Sequence, residues 1–218
     1  MSRSVDRVEY PGTKLDVRWI RALCLHVGEC VRAEGEVFAA GRDPWCEPDG
    51  AAAQEVLEIV RRCPTGALSA APKPGEPDER PDAENTVVVS NNGPLYLRGD
   101  LEIEAAAPEW EGVRFRAALC RCGKSENKPF CDNAHEKAGF VDRGAVGERG
   151  DETAAPTGRL RVKRIKDGPL LVTGGFALVA ASGRVAWRGK RAALCRCGHS
   201  KNKPFCDGAH SAAAFRAD

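Results

Sequence analysis

Residues 116–140, RAALCRCGKSENKPFCDNAHEKAGF, return 75 positions later as RAALCRCGHSKNKPFCDGAHSAAAF at 191–215, with 19 of 25 positions identical. The register holds without a gap back to Thr86 and Arg161, and Asn-Gly-Pro-Leu at 92–95 meets Asp-Gly-Pro-Leu at 167–170. Such a tandem duplication constrains the architecture before any single residue does. Each copy is one structural unit that buries its hydrophobic face against its neighbour. A copy of about 55 residues is marginal alone, without a metal or a partner. The two copies are therefore expected to pack as an intramolecular pseudo-dimer about a local two-fold axis.

Each copy carries C-x-C-x8-C-x3-H: Cys120, Cys122, Cys131 and His135, then Cys195, Cys197, Cys206 and His210. Cysteines two apart on an extended segment point to the same side. Cys131 and His135, four apart, share a face if a helical turn begins there. Asp132 and Asp207 are good caps for such a turn, and its N-terminal dipole favours a negatively charged group. Pro129 and Pro204 force an extended approach to the third cysteine. Four mixed sulfur and nitrogen ligands thus converge from one short loop. Zinc in a Cys3His site competes with an iron–sulfur cluster, since thiolate and imidazole suit both. The single residue between the first two cysteines favours iron–sulfur, because zinc knuckles space their pairs more widely. His199 replaces Lys124 beside the second set, and reads as a surface change rather than a tuning group.

Strand-like runs precede each loop: Thr86–Ser90, Leu95–Leu97 and Leu101–Ala105 in the first copy, and Leu160–Ile165, Leu170–Val172 and Phe176–Ala180 in the second. Gly-Pro, Gly-Asp and Gly-Gly pairs punctuate them. Residues 71–85 carry proline and charge in a composition that forms no core, which reads as a flexible linker. A polar stretch at 141–159 reads as a linker that separates the two repeats. The chain divides into residues 1–70, linker 71–85, repeat 86–140, linker 141–159 and repeat 160–218. Formal charge is uneven: net −5 over 1–85, −3 over 86–158 and +10 over 159–218. The basic quarter is either a solvated face, partly neutralised by the acidic N-terminal segment, or a docking surface for an acidic partner. Nucleic acid is the weaker reading, because the block lacks interleaved aromatics. No apolar run approaches membrane-spanning length, and MSRSVDRVEYPGTKLD lacks the apolar core of a signal peptide. A cytoplasmic setting follows, where ten cysteines are metal ligands or reactive thiols rather than disulfides.

The pattern C-x-C-x2-S-x3-P-x-C-D-x2-H resembles the CDGSH iron–sulfur family, typified by mitoNEET, in its tandem bacterial form. Ser125 and Ser200, Pro129 and Pro204, and Asp132 and Asp207 all stand where that motif places them. Asn133 departs from the usual glycine, which the second copy keeps as Gly208. The resemblance implies a 2Fe-2S cluster on three cysteines and one histidine in each repeat, beneath a β-rich cap. Histidine in place of one thiolate raises the reduction potential and adds a proton-sensitive ligand.

Upstream, Cys24-Leu-His-Val-Gly-Glu-Cys30 and Cys63-Pro64 look like a C-x2-C-x2-C…C-P ferredoxin run in which Val27 stands at the middle cysteine. Pro64 and Gly66 suggest a tight turn that brings backbone N–H groups to cluster sulfur. Ala51–Arg62 is expected to be an amphipathic helix with Val56, Ile59 and Val60 inward. With Val37-Phe38 and Pro44-Trp45, the segment resembles the divergent mono-cluster ferredoxin type. Cys24, Cys30 and Cys63 are then the ligands of a 3Fe-4S or 4Fe-4S cluster, with His26 or Cys46 as a fourth ligand. Cys46 reads otherwise as a semi-buried thiol, and Trp19, Phe38 and Trp45 as core. The expected fold class is α+β: a small ferredoxin-like domain, a Pro-rich linker, and a β-rich tandem CDGSH pseudo-dimer with cluster loops and short helices.

The function this suggests is electron transfer between redox partner proteins rather than catalysis. No G-x-G-x-x-G follows a strand, and neither G-x-S-x-G nor a Walker loop occurs. Cluster storage, transfer or redox sensing is the second reading. A zinc-stabilised interaction module is the third.

Overall fold

Short alternating runs ending at glycine or proline build strands, and the computed structural model, which describes residues 6–218, places ten of them among the described residues. The first five residues of the amino-terminal stretch read above for a signal peptide lie outside the described residues. Strands β1 (Arg7–Tyr10), β2 (Leu15–Ile20) and β3 (Leu68–Pro72) form an antiparallel sheet in the order β1-β2-β3. The helix expected near Ala51–Arg62 is α1 (Ala53–Arg62), and it buries Val56, Leu57, Ile59 and Val60. Trp45 sits among Tyr10, Trp19 and Phe38, with ring centroids 5.2–5.9 Å away. These aromatics are core, as the sequence suggested.

The repeats share one seven-stranded sheet. It is built from β4 (Thr86–Val89), β5 (Leu95–Arg98), β6 (Leu101–Ile103), β7 (Arg116–Leu119), β8 (Leu160–Arg164), β9 (Leu170–Val179) and β10 (Val185–Leu194). The order is β6-β8-β9-β4-β5-β7, with β10 on the free side of β9. Two of these pairings are parallel and cross between repeats. β6 meets β8 through Glu102↔Arg161, and β4 meets β9 through Thr86↔Ala177. Adding the 75-residue offset to Glu102 gives 177, and subtracting it from Arg161 gives 86, so each crossing is the symmetry mate of the other. The pseudo-dimer is thus joined by its first strands: β4 and β8 each pair antiparallel within their own repeat and parallel with the other.

The Gly174-Gly175 pair does not end a strand. β9 runs through it, and a Cβ there would meet Arg159 O at 2.3 Å and Ala155 O at 2.1 Å. The glycines admit a crossing segment rather than a turn. β10 was not foreseen as a strand along its length. Its counterpart in the first repeat is a 3-10 turn, Glu111–Arg114, followed by β7.

Both connecting segments make specific contacts with the repeats. Glu79 is buried and forms an ion pair with Arg116, whose other nitrogen donates to Leu68 O at 3.0 Å. Asp82 accepts from Arg98 at 2.8 Å and Arg61 at 3.2 Å. Buried Asn85 donates to Gly158 O and Gly175 O at 2.7 and 2.8 Å, and its Oδ1 accepts from Asp100 N at 3.0 Å. Residues 141–159 bury Val146 and Ala154, while Asp151 N donates to Arg188 O at 2.8 Å. A few polar side chains placed opposite buried partners are enough to dock an otherwise coil-like strap.

The basic block is also partly neutralised by the first repeat. Arg159 faces Asp100 at 3.3 Å and Arg161 faces Glu102 at 3.0 Å, so acidic β6 of the first repeat answers basic β8 of the second. Among the described residues, no helix is long and apolar enough to cross a membrane. The Glu79–Arg116 pair is 3% and 1% exposed, so Glu79→Ala strands a buried guanidinium. That variant is expected to lose roughly 3–5 kcal/mol of stability in denaturant unfolding. A loss within the error of the fit would contradict the docking of 73–85.

Candidate metal centres

In each repeat the chain reaches the ligand loop from the end of a strand. Cys120 N donates to Pro129 O at 2.8 Å and Cys131 N to Ala118 O at 2.9 Å; Cys195 and Cys206 repeat this with Pro204 O and Ala193 O, both at 2.8 Å. The third cysteine is thereby locked beside the first. Cys120 Sγ lies 3.8 Å from Cys122 Sγ, and Cys195 Sγ lies 3.6 Å from Cys197 Sγ. Cys131 Sγ and His135 Nδ1 are 3.4 Å apart, as are Cys206 Sγ and His210 Nδ1. The four expected donors of each repeat therefore come as two close pairs. Among the described residues, no three of His, Cys, Asp or Glu gather as one ion would need.

The motif residues build this loop. Ser125 Oγ donates to Phe130 O at 2.7 Å and accepts from Asn127 N at 3.0 Å; Ser200 does the same with Phe205 O and Asn202 N at 2.6 and 3.0 Å. Asp132 accepts from Ala134 N at 3.0 Å and from Glu126 N at 2.7 Å, so one carboxylate ties the helical turn to the loop ahead of it. Asp207 bonds Lys201 N and Ala209 N in the same way, and these N–H groups hold its carboxyl below the usual range. The cap position falls one residue later than expected, at Asn133 and Gly208, which are left-handed with φ of 65° and 87°, while Asp132 and Asp207 reach the turn from just outside it. The turns α2 (Ala134–Lys137) and α3 (Ala209–Ala212) have four residues each, too short for the dipole argument to carry weight. Individual N–H groups do that work: those of Asp132 and Asn133 face the Cys131 sulfur.

Arg121 and Arg196, the residues between paired cysteines, were not singled out from the sequence. Both are fully buried. Arg121 donates to Gly93 O at 2.9 Å, to Ser90 O and to Asp142; Arg196 donates to Gly168 O, Ile165 O and Asp218 O at 2.8, 2.7 and 3.0 Å. Their guanidinium carbons lie 5.0 and 5.5 Å from the rings of Phe140 and Phe215, whose N–H groups bond the carbonyls of His135 and His210. Strand alternation supplied the missing signal: with both flanking cysteines on one side, residue 121 or 196 must point inward. His199 and Lys124 act alike through the main chain, each N–H lying 3.4 Å from a cysteine sulfur.

The two ligand loops meet back to back. A Cβ on Gly123 would lie 2.6 Å from Cys197 O, and one on Gly198 would lie 2.6 Å from Cys122 O. Both glycines also hold positive φ, +81° and +85°.

In the N-terminal domain, Cys24, Cys30 and Cys63 line one small cavity with Trp19, His26, Trp45 and Thr65. Burial, then the neighbouring Cys63 and Cys24, push the Cys30 thiol up. Of the two candidates for a fourth ligand, His26 borders this cavity, whereas Cys46 is buried in the core, where desolvation pushes it up to about 12. Pro64 to Gly66 form the expected turn, with Gly66 at φ +72°. Its Cβ would strike Arg116 O at 2.3 Å, so it is a close contact with the first repeat.

The domains touch at the sites themselves. Leu25 packs against Cys131, Ala118 and Tyr96. Asn133 Nδ2 donates to Leu25 O at 3.0 Å, and Asn127 Nδ2 to Ala22 O at 2.9 Å. Burial, then the Cys131 and Cys63 sulfurs, raise the Tyr96 phenol, which lies between the two sets. Burial also raises the thiols of Cys131 (to about 11), Cys197 and Cys206. Cys122 is lowered to about 6 because Cys120 donates to it. A metal entering these nests must therefore displace protons held by buried sulfur.

Such paired thiol and imidazole donors, backed by buried arginines, define a protein built to hold metal clusters. Residues 10–73 match the family model described as divergent 4Fe-4S mono-cluster, and residues 92–136 and 167–211 each match the iron-binding zinc finger CDGSH type. The chain is 42% identical over 59 residues to proteins of Escherichia coli (strain K12) and Escherichia coli O157:H7, both described as "Uncharacterized protein YjdI"; the match covers 27% of this chain and 78% of each relative. No solved structure matches the chain. The chain belongs to the CDGSH iron-binding family in tandem form, with an N-terminal divergent 4Fe-4S mono-cluster domain.

Gly123→Ala forces a methyl into the Cys197 carbonyl at a left-handed position. It is expected to destabilise the protein by about 1 kcal/mol or more in denaturant unfolding. It should also lower metal content in the second repeat as well as the first. Metal loss confined to the first repeat would contradict the back-to-back contact.

Proposed function

We propose that this chain is an electron carrier holding three iron–sulfur centres and performing no catalysis of its own. Cys120, Cys122, Cys131 and His135 would hold one 2Fe-2S cluster, and Cys195, Cys197, Cys206 and His210 a second. Cys24, Cys30 and Cys63 would hold a 3Fe-4S or 4Fe-4S cluster, with His26 the better-placed fourth donor. The donor sets suit this assignment: two close pairs per repeat fit two irons rather than one zinc. When bound, such clusters supply one-electron redox chemistry, at a potential raised in the repeats by imidazole replacing thiolate.

One observation carries the reading. The three ligand sets form an unbroken line of contact, from the Cys24–Cys30 loop through Leu25 to Cys131, and from Cys122 through Gly198 to the second repeat. Nothing in storage of a cofactor requires such adjacency, whereas passing electrons between centres does. The chain's residues supply the rest. Buried Arg121 and Arg196 place positive charge behind an anionic group, and burial excludes water from the sulfurs. The setting is read as cytoplasmic, and the partner as an acidic redox protein meeting the basic second repeat. Cluster handling is the second reading, favoured by the exposure of Asp207 and Gly208 next to Cys206.

His135 and His210 are the proton-sensitive donors. A proton on Nδ1 occupies the lone pair that a metal would use. Lowering the pH is therefore expected to speed loss of visible absorbance in the purified protein, and the double variant His135→Cys, His210→Cys should lose that dependence and keep its colour longer. If the double variant retains the wild-type pH profile, these histidines are not ligands. Electron transfer and cluster handling separate on rate. The reduced protein should be reoxidised by an oxidised ferredoxin-type acceptor faster than it passes iron to an apo-ferredoxin; the reverse order would favour handling.

A further inference from the structure

The repeats are nearly identical in sequence at their sites but not in their surroundings. Cys131 is buried and Asp132 and Asn133 are half-buried, whereas Cys206 is half-buried and Asp207 and Gly208 are exposed. The difference is the N-terminal domain. Leu25, between Cys24 and His26, packs on Cys131, and its carbonyl accepts from Asn133 Nδ2 at 3.0 Å. The asymmetry is written in the sequence at two positions. The first repeat carries Asn133 where the second has Gly208, and Tyr96 where the second has Leu171. Both substituted residues lie at the junction: Asn133 bonds Leu25, and Tyr96 packs against it. Departure from the CDGSH glycine is thus a docking residue. Asn tolerates the left-handed backbone needed there while adding a side-chain donor that glycine lacks. Outside the junction, the first repeat carries Glu126, Glu136 and Lys137 where the open loop has Lys201, Ser211 and Ala212.

We propose that the N-terminal domain is a resident cover for the first repeat's ligand loop alone, so that two chemically equal CDGSH sites are unequal in role. The first is closed and faces the N-terminal centre. The second is the one presented to outside molecules, whether a redox partner or an acceptor of metal. This rests on the iron–sulfur reading above. It goes further in assigning inner and outer positions, and in giving Asn133 and Leu25 the task of holding the inner one shut.

The test follows iron release and visible absorbance after a strong iron chelator is added to the oxygen-protected full-length protein at neutral pH. Distinct phases are expected. His210→Cys should slow the fastest, marking it as the second repeat, and His135→Cys should slow a later one. Asn133→Gly, which installs the residue the second repeat carries natively, is expected to speed the first-repeat phase several-fold toward the second-repeat rate. Leu25→Ala should do the same, and neither should move the second-repeat phase, which serves as the internal control for folding. The proposal is overturned if the two repeats release iron at one rate in the unaltered protein, or if neither Asn133→Gly nor Leu25→Ala moves the first-repeat phase. A preparation without iron or acid-labile sulfide would instead overturn the iron–sulfur reading beneath it.

Discussion

The parallel crossings of β4 with β9 and of β6 with β8 are the constraint on which the rest depends. Neither repeat can complete its sheet without the other, so the cluster loops that end β7 and β10 arrive in a fixed mutual position. The closest approach, Gly123 against Cys197 and Gly198 against Cys122, is possible only because no side chain intervenes. The geometry of each metal nest is thereby tied to the folding of its twin. Asn85 and Glu79 extend this frame to the straps. One joins both repeats through three hydrogen bonds, and the other anchors the N-terminal connection beneath Arg116.

Charge is handled at two scales. Around the sulfurs, burial alone would keep most thiols protonated, as the raised values at Cys131 and Cys206 reflect. An anionic cluster reverses that balance only where donors and cations are waiting. Arg121 and Arg196 are such cations, held by backbone carbonyls rather than neutralised by carboxylates alone. At the larger scale, the acidic β6 strand of the first repeat meets the basic β8 strand of the second. The duplicated units have diverged into complementary halves, and the remaining positive surface, including Lys190, Arg191 and Lys201, stays with the second repeat.

The tandem duplication, the close Cys–Cys and Cys–His pairs of the two loops and the helix at Ala53–Arg62 were legible in the sequence, because spacing and periodicity are local signals. What escaped was decided by distant partners. The proline-rich strap looked unstructured because Glu79 and Asn85 find their partners 37 and 90 residues away. Gly174-Gly175 looked like a break because nothing nearby announced the segment that crosses it. Asn133 looked like a tolerated variant, and its meaning appears only once Leu25 is placed against it. Arg121 was within reach of a stricter argument from strand alternation. Its burial ran against the usual expectation for arginine.

The central claim is that three adjacent ligand sets on one chain hold iron bridged by inorganic sulfide. Anaerobic electron paramagnetic resonance of oxidised and reduced protein, with iron, zinc and acid-labile sulfide counted on the same sample, tests it most directly. The account predicts signals from two histidine-ligated 2Fe-2S centres and one 3Fe-4S or 4Fe-4S centre, with iron and sulfide in matching amounts. Colourless protein carrying stoichiometric zinc and no labile sulfide would contradict it.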